Sequence, residues 1–265
     1  MKYSSQELAH IDSDRMLEVI VDIAQDSQRI GEAVAGFTYP GAWTSRVFGL
    51  GAREPVTPRL LEEILNFYRG RQDKIRIYAS PYAHPTLWPV LREFGFSLVD
   101  WDSVLFWDLS EPLPPPPPTN HTLQPLSQDA TNDEKLTFAR ANILGFHDTP
   151  SQRALDLTLK VLEHPRTEFI GSWKGQECIA TAGIEYYRDS ATLITGAVLP
   201  DHRNQGIQSA MIHHRLTMAQ ESGATYAAIA SSPGEPSERN ATKLGAVMGY
   251  HQGVFEASIE QASRR

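Results

Sequence analysis

In the second half of the chain, apolar positions switch repeatedly between strand-like runs and helical spacing. Leu193 to Leu199 is an apolar, β-branched run that reads as a buried strand, weakened only at Gly196. Pro200-Asp201-His202 ends it, and from Ile207 the apolar residues recur at helical spacing through Ala210, Met211, Leu216 and Met218. Upstream, the pattern predicts a strand over His121–Leu126 and a helix over Gln128–Leu144. A second helix starts at Thr149-Pro150 and ends near His164-Pro165. A hairpin follows, Phe169–Trp173 with Cys178–Tyr187, turning at Lys174-Gly175. Downstream come helix 207–221, a stop at Gly223, strand Tyr226–Ala230, helix 236–244, Gly245 and a last strand from Val247 to about Phe255.

The first half reads as a worn copy of the end of that succession. Strand Ile75–Pro81, helix Pro85–Phe94, Gly95-Phe96 and strand Leu98–Leu109 mirror Ala227–Pro233, the following helix, Gly245-Ala246 and the final strand of the second half. Arg46–Leu50 takes the place of the 193–199 strand, and Leu60, Leu61, Ile64, Leu65 and Tyr68 mark a core helix. Gly49-Leu50-Gly51 is no dinucleotide fingerprint, because Glu54 stands where its third glycine belongs. The segment before Arg46 looks too short for three strands. A run of prolines, 114–118, marks a stiff extended seam. The expected organisation is a degenerate supporting domain at 1–111, a linker at 112–119 and a complete domain at 120–265.

Composition narrows the class. With 265 residues, 41% apolar and 21% charged, the chain reads as soluble and globular. The one cysteine, Cys178, excludes a disulfide framework or a cysteine-rich zinc site and reads as a small core residue. No signal-like or membrane-spanning run is visible, so a cytoplasmic location is expected, with no membrane partner. The net charge of −8 is spread over both halves and argues against nucleic acid. No metal-ligand spacing, Walker sequence or G-x-S-x-G occurs, and His213-His214 reads as structural.

The chemistry concentrates after the 193–199 strand. In Arg203-Asn204-Gln205-Gly206-Ile207-Gln208-Ser209, a turn feeds a helix N-terminus, where unpaired amides and the helix dipole favour an anion. Gly206 permits close approach, and Arg203 supplies a cation for a phosphate. This loop resembles the pyrophosphate loop of the GNAT acetyltransferase superfamily, Arg/Gln-x-x-Gly-x-Gly/Ala after the fourth strand. Arg203 and Gly206 match, and Gln208 stands where a second small residue is usual. The order strand, two helices, three strands, helix, strand, helix, strand is also the GNAT order. The fold implied is α/β (α+β): a tandem GNAT fold with a mixed central sheet flanked by helices, its N-terminal half degenerate.

The resemblance implies acetyl-coenzyme A as acyl donor, held by Val198, Leu199 and 203–209, with Ser237 and Asn240 on the next helix facing its pantetheine arm. The backbone N–H of Val198 or a neighbour would polarise the thioester carbonyl. The family's usual tyrosine, four residues before the helix-ending glycine, is here Ala241, while Tyr226 and Tyr250 read as packing residues. Glu185 is the candidate base, and His147, in the loop where the family often contacts the acceptor, is the other catalytic candidate. A solvated carboxylate for Glu185, and ordinary loop composition for His147-Asp148, are the plain alternatives. The expected activity is acyl transfer from acyl-coenzyme A to a small-molecule amine by direct attack. A regulatory acyl-coenzyme A-binding pseudoenzyme and other acyl chemistry on the same fold remain as alternatives. The two halves would form a monomeric pseudo-dimer.

Overall fold

The structure is a computed structural model and describes residues 2–146 and 149–263. In the first part of the chain it places α1 (Ser5–Ile23), β1 (Asp26–Ile30), β2 (Ala33–Phe37), β3 (Val47–Phe48), α2 (Pro58–Tyr68), β4 (Lys74–Ala79), α3 (Leu87–Glu93) and β5 (Ser97–Asp108). The second part continues with β6 (Leu123–Pro125), α4 (Asn132–Gly145), α5 (Gln152–Leu162), β7 (Thr167–Lys174), β8 (Glu177–Tyr187) and β9 (Ser190–Val198). A 3₁₀ turn (Pro200–His202) leads into α6 (Ile207–Glu221), followed by β10 (Tyr226–Ser231), α7 (Pro236–Lys243), β11 (Val247–Ser258) and the short α8 (Ile259–Ala262).

The segment before Arg46 is richer than its sequence suggested. It holds a helix with a capping box, Ser4 and Glu7 bonding each other's backbone, and a hairpin of two five-residue strands turning at Gly31. The first part therefore matches the second from α5 onward, in the order helix, two strands, strand, helix, strand, helix, strand. At α5 the cap is Ser151, whose hydroxyl accepts from the Ala154 amide, rather than Thr149.

Two compact units emerge. One comprises Val104–Met248; the other comprises Tyr3–Ser103 with the C-terminal stretch from Gly249. In the second of these the strand order is β1-β2-β3-β4-β11-β5, with β11 antiparallel to β4. Its core is built on Leu61, Ile64, Ile75, Ile77 and Leu87, and Glu256 of β11 bonds Lys74 and Arg76 of β4.

In the unit Val104–Met248 the order is β5-β10-β9-β8-β7-β6. β6 to β9 pair antiparallel, and β9 and β10 pair parallel. Leu105, Trp107 and Leu109 from the end of β5 join its core, and Trp107 Nε1 donates to the Leu244 carbonyl at 2.9 Å. Alternation along β8 sends Ala180, Ala182 and Ile184 towards the core under α6, and Thr181, Gly183 and Glu185 towards α4. The proline segment runs beside α6, where His213 Nε2 donates to the Pro114 carbonyl at 2.7 Å.

Candidate functional site

β9 and β10 pair only from Ser190↔Tyr226 to Leu193↔Ile229. Beyond that point β9 carries a bulge. Opposite β8, Thr181 faces Ala197 and Gly183 faces Ile194, so Thr195 and Gly196 stand against the single residue Ala182. Thr195 takes φ +50°, the left-handed region, which a β-branched side chain enters only at a cost. The extra residue also re-phases the strand. After it, Ala197 lies towards α4 while Val198 packs with Ile207 and Met211 of α6. Ile194, Thr195 and Gly196 are partly exposed between fully buried stretches of the same strand, which marks an opening.

The Val198 amide faces that opening. Leu199 donates to the Ile179 carbonyl at 3.0 Å, so its neighbour's N–H points away from β8, towards the side that β10 has left. The end of α4 approaches closely: a Cβ on Gly145 would lie 2.7 Å from the Ala197 Cβ and 3.3 Å from the Val198 nitrogen. Glycine at 145 keeps that amide uncovered.

Two buried side chains hold the bulge from opposite faces. From α4, Asn142 Nδ2 donates to Thr181 Oγ1 (2.9 Å) and to the Thr195 carbonyl (2.8 Å). From α6, Arg215, 1% exposed, donates through Nη1 to the carbonyls of Gly183 (2.9 Å) and Ile194 (3.0 Å), and through Nε to Met211 (3.0 Å). Burial pulls the guanidinium down to about 9, which leaves it charged at neutral pH. Burying such a charge costs several kcal/mol, and hydrogen bonds to a charged group return about 1.5–3 kcal/mol each. Neither residue was picked out from the sequence. The signal was there in a weak form: Arg215 falls on the stripe Ile207-Met211, and Asn142 one turn after the buried Phe138.

The loop has the form its sequence implied. Asn204 (φ +61°) and Gly206 (φ +77°) are left-handed, and Gly206 caps α6 without any side-chain bond, so the first amides, from Ile207 to Ser209, have no intrahelical acceptor. Arg203, expected to supply a cation for a phosphate, reaches two backbone carbonyls. Its Nε donates to the Val198 carbonyl (3.1 Å) and its Nη2 to the Gly145 carbonyl (2.8 Å), tying the end of β9 to the negative end of α4. A Cβ on Gly206 would lie 2.8 Å from the Pro118 carbonyl, and Gln205 Oε1 accepts from His121 Nε2 at 2.9 Å, so the proline segment borders this loop.

Gln208, Ser237 and Asn240 come together. Gln208 Nε2 donates to Ser237 Oγ (2.8 Å), and Asn240 Nδ2 donates to Gln208 Oε1 (2.7 Å). A glutamine at 208 thus links α6 to α7, which a small residue could not do. The Ser237 hydroxyl hydrogen and the Asn240 carbonyl oxygen are left over from these two bonds.

The catalytic candidates are less compactly placed. Glu185 is 3% exposed and lies 3.5 Å from Arg166, a buried ion pair rather than a solvated carboxylate. His147 lies outside the described residues. Ala241 is fully buried in the core beside Leu244. Tyr226 packs near Phe106, and Tyr250 donates to Asp12 at 3.3 Å. Among the described residues no cluster of His, Cys, Asp and Glu is placed to hold a metal ion, and no helix is long and apolar enough to cross a membrane.

Residues 129–246 match the acetyltransferase (GNAT) family model. Among solved structures, the chain resembles a GCN5-related N-acetyltransferase from Kribbella flavida at 19% identity. That likeness covers 94% of this chain and 95% of that one, with a TM-score of 0.69. It also resembles a GCN5-related N-acetyltransferase from Sphaerobacter thermophilus (14% identity, 76% and 67% covered, TM-score 0.61). A tandem GNAT protein from the clavulanic acid biosynthesis pathway is similar at 12% identity, with 76% and 69% covered and a TM-score of 0.58. No curated protein matches the sequence. The fold is therefore that of GNAT proteins, tandem ones among them.

Proposed function

We propose that this chain, whose residues 129–246 match the acetyltransferase (GNAT) family model, transfers an acyl group, acetyl by default, from acyl-coenzyme A to the amine of a small molecule. One observation carries the reading: the β9 bulge, where pairing with β10 ends, is followed through the 3₁₀ turn and the 203–206 loop by a helix N-terminus with uncapped amides. Such a gap admits an extended acyl-pantetheine arm alongside β9, and the amides of Ile207 to Ser209 suit the diphosphate. Ser237 and Asn240 offer a donor and an acceptor to the arm's amides.

In the reaction the amine nitrogen bonds to the thioester carbonyl carbon, the C–S bond breaks, the nitrogen loses a proton and the thiolate gains one. The Val198 N–H serves the carbonyl oxygen as negative charge gathers there. The walls of the gap hold amine and thioester together. With Ala241 buried, the thiolate takes its proton from water or from a group elsewhere.

A second reading, binding without transfer, draws on the buried Ala241 and on Glu185 being tied to Arg166. One assay separates the two. Acetyl-coenzyme A is incubated with the protein and a panel of amines while thiol release is followed. Amine-dependent release supports transfer. Binding with no release above background for any amine supports the second reading.

A further inference from the structure

Arg215 is a fully buried cation that no step above uses. Among the described residues no carboxylate pairs with it, and its hydrogen-bond partners are three backbone carbonyls. Two of these, Gly183 and Ile194, face each other across β8 and β9 immediately before the bulge. Its remaining nitrogen, Nη2, lies 3.4 Å from where a Cβ on Gly196 would stand, so the guanidinium reaches the bulge residue itself. An apolar residue of similar length would fill this position without the cost of desolvating a charge. The arginine is thus explained by what it holds and by the charge it brings.

We propose that Arg215 is a positioning residue for acyl transfer: from α6 it fixes the β9 bulge that turns the Val198 amide into the gap, and it lays a positive charge behind the backbone that receives the thioester oxygen. Both actions work through β9. Nη1 locks the last regular pair before the bulge, while Asn142 locks the Thr195 carbonyl from the opposite face. With both anchors in place the 195–198 backbone has a single arrangement. A charge inside a low-dielectric wall then acts on the oxygen as negative charge grows there, and acts little on the diphosphate, which binds further along at α6's first turn.

The inference rests on the acyl-transfer reading, and its test separates the two. Arg215→Gln and Arg215→Lys are compared with the wild-type chain in thiol-release kinetics, thermal melting, and calorimetric affinity for acetyl-coenzyme A and for coenzyme A. In Arg215→Gln, kcat should fall on the order of a hundredfold, the lower range for losing an oxyanion donor. KM for acetyl-coenzyme A and affinity for coenzyme A should stay near wild type, and any preference for the acetylated form should shrink. Arg215→Lys, which keeps the charge but cannot fork to both carbonyls, should recover part of kcat. Should the glutamine variant not fold, the lysine variant carries the test and must show reduced kcat at unchanged KM. Unchanged kcat in a folded variant overturns the inference. So does a loss of kcat and coenzyme A affinity together, in proportion to the fraction unfolded. A wild-type chain that binds both ligands but releases no thiol refutes the transfer reading instead. The inference then stands or falls on whether the acetyl preference shrinks.

Discussion

Cutting the chain after Glu111, just ahead of the proline run, should destroy the unit that carries the candidate site, although every loop and helix residue of that site lies downstream of the cut. Residues 112–265 lack the end of β5. Leu105, Phe106, Trp107 and Leu109 are each 6% exposed or less, and three of them belong to the core beneath α6 and α7. At about 1.5–3 kcal/mol for each fully buried large apolar side chain, the loss is roughly 6–12 kcal/mol. That is comparable to the whole stability of a typical domain, about 5–15 kcal/mol. The cut also removes the Trp107–Leu244 bond and leaves most of β11 without β4. A shorter fragment, 104–248, keeps those four residues and omits the strand whose partner is gone. The expected order of stability is therefore the reverse of fragment length. Circular-dichroism melting and light scattering of both fragments read it out, with 112–265 aggregated or unfolded and 104–248 showing a cooperative melt. A monodisperse 112–265 fragment that melts like the full chain would refute the assignment of β5 to that core.

Other outcomes follow from particular side chains. Gly206→Val should lower the melting temperature and weaken acetyl-coenzyme A binding. Its left-handed φ disfavours an L-residue by about 1–2 kcal/mol, and its Cβ meets the Pro118 carbonyl; an unchanged melt and affinity would count against the loop geometry. The losses of binding from Ser237→Ala, Asn240→Ala and Gln208→Ala should sum to more than the loss in the triple variant, because the three share one network; strictly additive calorimetric losses would contradict this. Cys178, whose thiol is pushed up to about 12 by burial, should resist thiol reagents at pH 8 until the protein unfolds. The unfolded thiol ionises from about pH 9 while the folded one keeps its proton, so its contribution to stability should decline between about pH 9 and 12. A Cys178→Ala variant with the same alkaline decline would refute that share. Tyr226→Phe and Tyr250→Phe should retain most activity, and a loss beyond about a hundredfold, the lower range for acid–base catalysis, would identify the missing acid.

Much of this molecule is legible in its sequence, and the reasons differ by element. Helix 207–221 is found to the residue because Gly206 and Gly223 bracket a long apolar stripe. The loop is legible because its glycine and its place after a strand reflect backbone geometry alone. The hairpin at 26–37 escapes notice because its strands are five residues long and one carries Asp, Gln and Arg on an exposed edge. The bulge escapes because Thr195 has every local preference of a regular strand residue, while the side chains that bond the backbone around it, Asn142 and Arg215, are distant in sequence. The carbonyl bonds of Arg203 escape notice for a related reason. A guanidinium beside a phosphate loop and one tying down two carbonyls read alike in sequence. The place of Leu105, Trp107 and Leu109 in the core of Val104–Met248 depends on long-range packing, which no local pattern encodes.

The most direct test of the central claim is a calorimetric titration of the full chain with acetyl-coenzyme A, repeated on Gly206→Val. One site per chain is expected in the wild type, since the 203–209 loop has no counterpart at 51–57, and that site should be lost or strongly weakened in the variant. Two equivalent sites per chain, or one site with undiminished affinity in Gly206→Val, would contradict the account.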